Sequence, residues 1–223
     1  MTDPATPEKK KIVIVEDHPL FRSMLVLLIE KEPGMVVCGE ASNIKDAMAI
    51  ILQTHPDAAL VDITLEGSSG IELIKDMKAQ GLQIPVLVIS MHEDKLYAER
   101  VLRAGARGYV SKNAPPAEVL AAVRKVLDGG IYLSEFLTRT VLERVASGEK
   151  SGEPKGIDLL SDRELEVFQL VGRGMNSREI SEQINLGQTT VDSYRQRIRE
   201  KLGLKNAAAL YQRAAQWLVE GSL

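Results

Sequence analysis

Four short polar sites in the first half of this 223-residue chain each follow an apolar run. They are Glu16-Asp17, Asp62, Ser90 and Lys112. Apolar, β-branched runs without alternation are typical of strands buried on both faces of a parallel sheet, and the carboxyl ends of such strands border the functional crevice. We therefore expect three carboxylates, a hydroxyl and an ammonium to converge. These groups can hold a divalent metal and a phosphoryl group.

The chemistry that this set permits is phosphoryl transfer to an aspartate. Asp62 would take the group as an acyl phosphate, a covalent intermediate. Its carboxylate and the phosphoryl group repel each other, and Mg²⁺ held by Glu16, Asp17 and Asp62 offsets this repulsion. Lys112 would pair with one phosphoryl oxygen and Ser90 would donate to another. Any one residue alone would indicate a strand-end cap or a surface charge, but all of them together favour a site.

The composition excludes several other classes of protein. One cysteine permits neither an internal disulfide framework nor a cysteine zinc site. No apolar run approaches the roughly 20 residues of a membrane span, and the polar N-terminus lacks the apolar core of a signal peptide. We therefore expect a cytoplasmic protein without a membrane partner. The net charge of −3 argues against nonspecific nucleic-acid binding by the chain as a whole, although local patches have to be judged separately.

Strand-like and helix-like runs alternate from Lys10 to about Gly130, giving five β/α pairs. This predicts an α/β fold with a doubly wound, parallel, five-stranded (βα)5 sheet. The predicted strands are residues 11–16, 35–40, 58–62, 86–90 and 107–110. The predicted helices are residues 20–31, 44–54, 70–80, 95–104 and 116–127.

The chain divides into two predicted domains with a connecting segment. Residues 9–130 form the first domain and residues 158–223 the second. Between them, residues 131–157 contain a helix that Ser134 caps and a flexible linker. The linker is predicted because residues 147–156 are rich in glycine, serine and charge and have no apolar side chain to bury.

The second domain is predicted to be all-α with four helices. Ser161 and Glu164 have the spacing of a capping box that opens the first helix. Ser177 is expected to cap a short second helix that ends near Ile184, and a third helix runs from Thr189 to Leu202. Two short helices joined by a glycine-containing turn are typical of the helix-turn-helix motif, and a fourth helix covers residues 207–218.

The third helix of this domain has a packed face with Val191, Ile198 and Leu202 and an opposite polar face. In a helix-turn-helix the N-terminal part of the second motif helix enters the major groove. Glutamine bonds adenine, aspartate accepts from cytosine and serine is permissive. The residues predicted to face DNA bases are Thr189, Asp192, Ser193 and Gln196, and those predicted to contact phosphates are Arg178, Thr190, Arg197 and Lys201.

Charge alone favours DNA binding only modestly, since acidic and basic residues balance from Asp158 to the end of the chain. A solvated helix in a small bundle would have the same balance. The cluster of Arg195, Arg197, Arg199 and Lys201 is the local exception.

Residues 11–128 resemble the receiver domain of two-component response regulators. The similarity rests on Glu16-Asp17 with His18-Pro19, on Asp62, Ser90 and Lys112, and on the segment Ala104 to Tyr109. The resemblance implies that a sensor histidine kinase phosphorylates Asp62, with Mg²⁺ bound by Glu16, Asp17, Asp62 and the backbone carbonyl of Thr64. It also implies that Ser90 and Tyr109 form a switch pair, in which Tyr109 turns inward on phosphorylation.

Nearly all of residues 158–218 resemble the LuxR-type helix-turn-helix. The segments that carry this resemblance are Leu160 to Val167, Gly174 to Ser181, and Thr189-Thr190-Val191 with Ile198 and Lys201-Leu202. Joined to a receiver, this is the arrangement of the NarL/FixJ class of transcriptional regulators. The resemblance implies binding to double-stranded DNA by a homodimer that forms on phosphorylation. Asp192 stands where the class commonly has lysine, which suggests an altered base preference.

Three alternatives remain open at this stage. A haloacid-dehalogenase-like phosphatase also uses an aspartate nucleophile, but it needs an acid two residues later, where this chain has Thr64. A ligand-sensing LuxR-type receptor needs an aromatic-lined pocket, and the aromatic content is 4%. A receiver that works without phosphorylation is the third. We expect a regulator and not an enzyme.

Overall fold

The computed structural model describes residues 9–65, 68–91, 95–135, 137–139, 156–184 and 186–220. The chain forms two compact units, Met1–Thr140 and Val141–Leu223, called here the N-terminal and C-terminal units. The boundary between the two units lies inside the predicted connecting segment 131–157. Ser134 Oγ accepts a hydrogen bond from the Leu137 amide at 3.3 Å, as a helix cap does. The rest of the predicted helix, to about Ala146, and most of the predicted linker lie outside the described residues.

A five-stranded parallel sheet forms the centre of the N-terminal unit, as predicted. The five strands are β1 (Lys10–Val15), β2 (Met35–Ala41), β3 (Ala58–Asp62), β6 (Val86–Ser90) and β7 (Gly108–Ser111). Their order across the sheet is β2-β1-β3-β6-β7. A two-stranded antiparallel ladder, β4 (Thr64–Leu65) with β5 (Ser68–Ser69), follows β3 and was not predicted, because two-residue strands have no periodicity to detect.

Helices follow the strands of the sheet, and each lies within one residue of its predicted bounds. They are α1 (Pro19–Glu30), α2 (Ile44–Thr54), α3 (Gly70–Ala79), α4 (Lys95–Ala104) and α5 (Pro116–Leu127). Leu25 of α1 and Val123 of α5 pack in one buried cluster with Ile12 and Ile14 of β1. The apolar β1 and β3 side chains are buried, as the continuous runs predicted, so the strands are rigid supports for the residues that follow them.

The C-terminal unit is helical among its described residues. After a short 3₁₀ turn (Gly156–Leu159) come α6 (Asp162–Gly172), α7 (Ser177–Gln183), α8 (Gln188–Leu202) and α9 (Ala207–Glu220). Gly172 permits α6 and α9 to approach closely, because a Cβ there would lie 2.7 Å from the Ala214 carbonyl oxygen. Among the described residues of the chain, no helix has the length and apolar character that crossing a membrane requires.

The helix caps of the C-terminal unit agree with the sequence in one case and differ in another. The capping box of Ser161 and Glu164 is present as predicted. The prediction that Ser177 caps α7 is wrong, because Asn176 is the cap and accepts hydrogen bonds from the amides of Arg178 and Glu179. An asparagine one residue earlier reaches both amides. The Ser177 hydroxyl is therefore not needed for capping.

Candidate functional site

Three carboxylates meet at the carboxyl edge of the sheet. Val15 of β1 pairs with Val61 of β3, so the residues that come next, Glu16 and Asp62, lie side by side. Oxygen atoms of Glu16, Asp17 and Asp62 all lie within 4.8 Å of one another. Glu16 and Asp62 are buried, with 1% and 5% of their surfaces exposed. The predicted convergence of the acids is therefore present.

Lys112 completes this cluster from the end of β7. Its ammonium lies 2.7 Å from Asp62 Oδ2 and donates to Glu16 Oε1 at 2.9 Å. The Lys112 amide donates to the Ser90 carbonyl at 2.8 Å, which ties the loop after β7 to the end of β6. Burial alone would lower the pKa of Lys112, but the charges of Asp62 and Glu16 more than offset burial and raise it. The ammonium is therefore charged.

The pKa of Asp62 is raised to about 7, first by burial and then by the negative charge of Glu16, against the attraction of Lys112. A carboxyl group with this pKa exchanges its proton near neutral pH. A cation bound beside it would favour the ionised form, which is the form that can act as a nucleophile.

The donor set fits Mg²⁺. Mg²⁺ prefers hard oxygen ligands and is bound in proteins by few carboxylates together with phosphate oxygens and waters. Glu16, Asp17 and Asp62 present carboxylate oxygens close enough together for one small ion. The Thr64 amide hydrogen-bonds the Asp62 carboxylate. The assignment of the Thr64 carbonyl as a metal ligand remains a prediction.

The two predicted switch residues lie on neighbouring strands. Ser90 is buried at the end of β6, one residue beyond Ile89, the register partner of Asp62. Tyr109 on β7 is 2% exposed, so in this structure its side chain is already inside the unit. Their roles as a switch pair remain predictions.

Residues at the start of α1 hold the acid pair and were not predicted as site residues. His18 caps α1 by accepting from the Phe21 amide at 3.3 Å, and its own amide donates to Glu16 Oε1 at 3.1 Å. Arg22 Nη1 donates to the Glu16 carbonyl at 2.7 Å. The Phe21 ring centre lies 4.7 Å from Lys112 Nζ. The position of His18 before Pro19 was a usable signal for a cap, whereas the contact between Phe21 and Lys112 exists only in the folded chain.

Gly70 supports the position of Asp62 from the other side. A Cβ at Gly70 would lie 2.0 Å from the Asp62 carbonyl oxygen, so only glycine fits there. The Gly70 amide donates to the Ile63 carbonyl at 2.7 Å, and Ser69 caps α3. The start of α3 therefore presses directly against the end of β3. The sequence predicts that a helix begins at Gly70. It has no local pattern that would predict the contact between Gly70 and Asp62.

The second candidate surface is the exposed face of α8. Val191 and Ile198 are fully buried, which confirms the predicted packed face. All eight residues predicted to contact DNA are exposed: Arg178, Thr189, Thr190, Asp192, Ser193, Gln196, Arg197 and Lys201.

Several of these exposed side chains bond to neighbours within the unit. Ser193 Oγ donates to the Thr189 carbonyl at 2.9 Å, and Gln196 Nε2 donates to Glu200 Oε1 at 2.9 Å. Ser177 Oγ donates to Asp192 Oδ1 at 2.6 Å.

The basic residues predicted for phosphate contacts differ in how firmly they are held. Arg178 Nε lies 3.1 Å from Glu182 in an exposed pair. Arg197 stacks over the Tyr194 ring at 5.8 Å. Lys201 Nζ lies 2.6 Å from Glu164 Oε2, so a phosphate contact by Lys201 requires it to share or leave that carboxylate.

Two family matches cover most of the chain. Residues 12–124 match the family described as response regulator receiver domain. Residues 158–214 match the family described as bacterial regulatory proteins, luxR family.

Full-length similarity extends to named regulators. The chain is 34% identical over 202 residues to the virulence-factor transcription regulator BvgA of Bordetella pertussis, covering 91% of this chain and 93% of BvgA. It is 32% identical over 193 residues to the response regulator UvrY of Escherichia coli K12, and the match covers 86% of this chain and 88% of UvrY. The fold is also similar to that of RcsB from Salmonella enterica serovar Typhimurium bound to promoter rprA with phosphomimetic BeF₃⁻, with a TM-score of 0.60, 23% identity and coverage of 93% and 99%.

Proposed function

Since this chain belongs to the response regulators that join a receiver domain to a LuxR-type helix-turn-helix domain, and is a transcription regulator, we propose that phosphorylation of Asp62 controls its binding to promoter DNA. The phosphodonor is a histidine of a sensor kinase, and the partner of the C-terminal unit is double-stranded DNA. Both events take place in the cytoplasm. The observation that carries the proposal is the cluster of Glu16, Asp17 and Asp62, in which the buried Glu16 and Asp62 contact the ammonium of Lys112.

The positions of these side chains support the transfer of a phosphoryl group from a kinase histidine to Asp62. An Asp62 carboxylate oxygen attacks phosphorus, a new O–P bond forms, and the N–P bond to the kinase histidine breaks, returning its electron pair to the imidazole nitrogen. Lys112 exchanges its contact with Asp62 for a phosphoryl oxygen, and Ser90 donates to another. Glu16, Asp17, Asp62 and the Thr64 carbonyl would hold Mg²⁺, which would supply positive charge to neutralise the phosphoryl oxygens.

Phosphorylation is proposed to act on DNA binding through dimerisation. Ser90 moves toward the phosphoryl group, which changes the surface around the end of β6, while Tyr109 keeps the inward position that it has in the structure. Two C-terminal units in one dimer then read two half-sites about one helical turn apart. Binding of one half-site raises the effective concentration of the second recognition helix at the other.

Light scattering on the full chain tests this proposal. Beryllofluoride with Mg²⁺ mimics the phosphoryl group on the aspartate. We expect the wild-type molar mass to shift from monomer to dimer, Asp62→Asn to remain monomeric, and the exposed control Asp76→Asn on α3 to behave as wild type. An equal response of Asp62→Asn and wild type would overturn the acceptor assignment. No shift in any of these proteins would overturn phosphorylation-driven dimerisation in the free protein.

A further inference from the structure

A hydrogen-bonded chain links the start of α7 to the exposed face of α8. Ser177 Oγ donates to Asp192 Oδ1 at 2.6 Å and accepts from Arg195 Nη1 at 3.0 Å. The first of these bonds has the short length typical of a hydroxyl that donates to a carboxylate. Ser177 therefore connects an acid and a base that lie one turn apart on α8.

Ser177 is free for this contact because Asn176 carries out the capping of α7. The Asn176 side chain accepts from the amides of Arg178 and Glu179 at 3.0 Å each, and Glu179 Oε2 accepts from the Asn176 amide at 2.8 Å. The capping box thus satisfies the helix start without the serine hydroxyl. Substitution of Ser177 should therefore leave the cap of α7 intact.

The contact orients Asp192 on an otherwise exposed surface. Asp192 lies on the second turn of α8, next to Ser193, which is also exposed. With Oδ1 occupied by Ser177, the second carboxylate oxygen remains as a hydrogen-bond acceptor. In the major groove, cytosine N4 and adenine N6 both offer an amine donor, but adenine also presents the N7 acceptor beside it, which repels a carboxylate, so the base matched by aspartate is cytosine.

Nearby positive charge offsets the repulsion between this carboxylate and DNA phosphates. A cleft along α7 and α8 is lined by Ser177 and Asp192 together with Arg178, Arg195 and Arg199. Arg195 is linked to the carboxylate through Ser177, and the arginine side chains that line this cleft allow the acid to approach a polyanion. The lysine-to-aspartate difference from the class is then a change of base reader and not a loss of contact.

We propose that Asp192 reads the cytosine amine in the major groove and that Ser177 is the positioning residue that fixes it for this role. The proposal rests on the proposed DNA-binding function and names the base that this surface selects.

The experiment compares base preferences of the full chain, activated with beryllofluoride and Mg²⁺. Wild type first selects its sites from a random double-stranded DNA pool, and anisotropy titrations then measure affinity for the selected site and for its single-base variants. At one position of each half-site we expect cytosine to be preferred by about tenfold, the usual cost of one mismatch. Asp192→Ala should reduce this preference to nearly none.

Asp192→Asn gives a sharper outcome. In this variant Ser177 would still donate to the side-chain oxygen of residue 192. The NH₂ group of the new amide would then face outward, as a donor in place of the second carboxylate oxygen of Asp192. Cytosine should then become disfavoured at that position relative to the bases with major-groove acceptors, which are guanine (O6 and N7), thymine (O4) and adenine (N7). Unchanged preference in Asp192→Asn would overturn the proposal.

Ser177→Ala tests the positioning role. We expect a several-fold loss of cytosine preference, restored by Ser177→Thr, which keeps the hydroxyl. The matched control is Ser181→Ala on the same helix, since Ser181 Oγ donates to the Arg178 carbonyl within α7. Trp217 fluorescence, from the one tryptophan of the chain, verifies folding.

Three results are distinguishable. A uniform loss of affinity in Ser177→Ala for all sequences, with base preferences kept, would reduce Ser177 to a structural residue and overturn its positioning role. A wild type that selects a motif whose positions are all insensitive to Asp192 would overturn the reader assignment and leave the DNA-binding function intact. A wild type that enriches no sequence would overturn the proposed function itself.

Discussion

Lys112 Nζ lies 4.7 Å from the centre of the Phe21 ring, so an aromatic face of α1 covers the ammonium that contacts the proposed phosphoacceptor. A desolvated cation over an aromatic ring gains roughly 1–2 kcal/mol. This contact helps to hold Lys112 beside Asp62, from which its ammonium is 2.7 Å distant.

Phe21→Leu should therefore weaken binding of beryllofluoride several-fold while the fold is retained, because leucine keeps an apolar side chain but has no π face. Titration of the full chain with beryllofluoride at fixed Mg²⁺, followed by light scattering, measures the change. Leu20→Ala is the control on the same helix, since Leu20 is 76% exposed. Equal affinity in wild type and Phe21→Leu would show that the ring does not support the lysine.

Mg²⁺ affinity should depend on pH near neutrality. Burial raises the pKa of Asp62 to about 7, so below that pH a proton occupies the carboxyl group that the metal needs. The association constant should rise by up to about tenfold per pH unit toward pH 7 and level off above it. Calorimetric titrations at pH 6, 7 and 8 measure this profile. Asp62→Asn should bind Mg²⁺ weakly, with no change of affinity across this pH range. A wild-type association constant that does not change with pH would contradict the prediction.

Gly70→Ala should displace the backbone of Asp62 and so disturb the proposed acceptor site. The added Cβ would lie 2.0 Å from the Asp62 carbonyl oxygen, so α3 or the end of β3 has to shift. Overpacking of this kind costs about 1–3 kcal/mol, and beryllofluoride binding should fall with it. Thermal unfolding followed by circular dichroism tests the first effect. In the control Asp76→Ala, at an exposed position of α3, little change is expected.

The pair of Glu164 and Lys201 should make the stability of the C-terminal unit depend on acid pH. Burial alone would raise the pKa of Glu164, but the hydrogen bonds from Lys201 and the Ser161 amide more than offset it, and the net pKa is lowered from 4.5. A lowered pKa in the folded state stabilises the unit above the ordinary carboxyl pKa, and this stabilisation is lost as pH falls through the lowered value.

Glu164→Gln should keep the capping box, since glutamine also serves at that position, but should lose the charged pair with Lys201; we expect a cost of about 1 kcal/mol at neutral pH and a difference from wild type that shrinks below about pH 4. Trp217 lies 5.8 Å from Phe168 of α6, so its fluorescence reports denaturant unfolding of this unit. Glu182→Gln, which breaks an exposed pair with Arg178, should change little. A difference that stays constant from pH 7 to pH 3 would rule out the ionised pair as its source.

The order of elements and the composition of the acidic site could be predicted from the sequence because both depend on local patterns. Apolar runs such as Ile12 to Val15 determine where strands are buried, and parallel strands bring their carboxyl ends to one edge. The sequence therefore predicts that Glu16, Asp62 and Lys112 belong to one site. The helical periodicity of Val191 and Ile198 similarly predicted which face of α8 is packed.

Only the tertiary structure decided how these residues are held, because that depends on atoms brought together from distant parts of the chain. The ring of Phe21 over Lys112 and the fit of Gly70 against Asp62 have no local sequence pattern. The burial that raises the pKa of Asp62 is likewise a property of the packed sheet and its helices. At the surface proposed to face DNA, two adjacent residues, Asn176 and Ser177, are both of a type that caps helices. Asn176 takes the cap and leaves Ser177 to bond with Asp192, a partner 15 residues away.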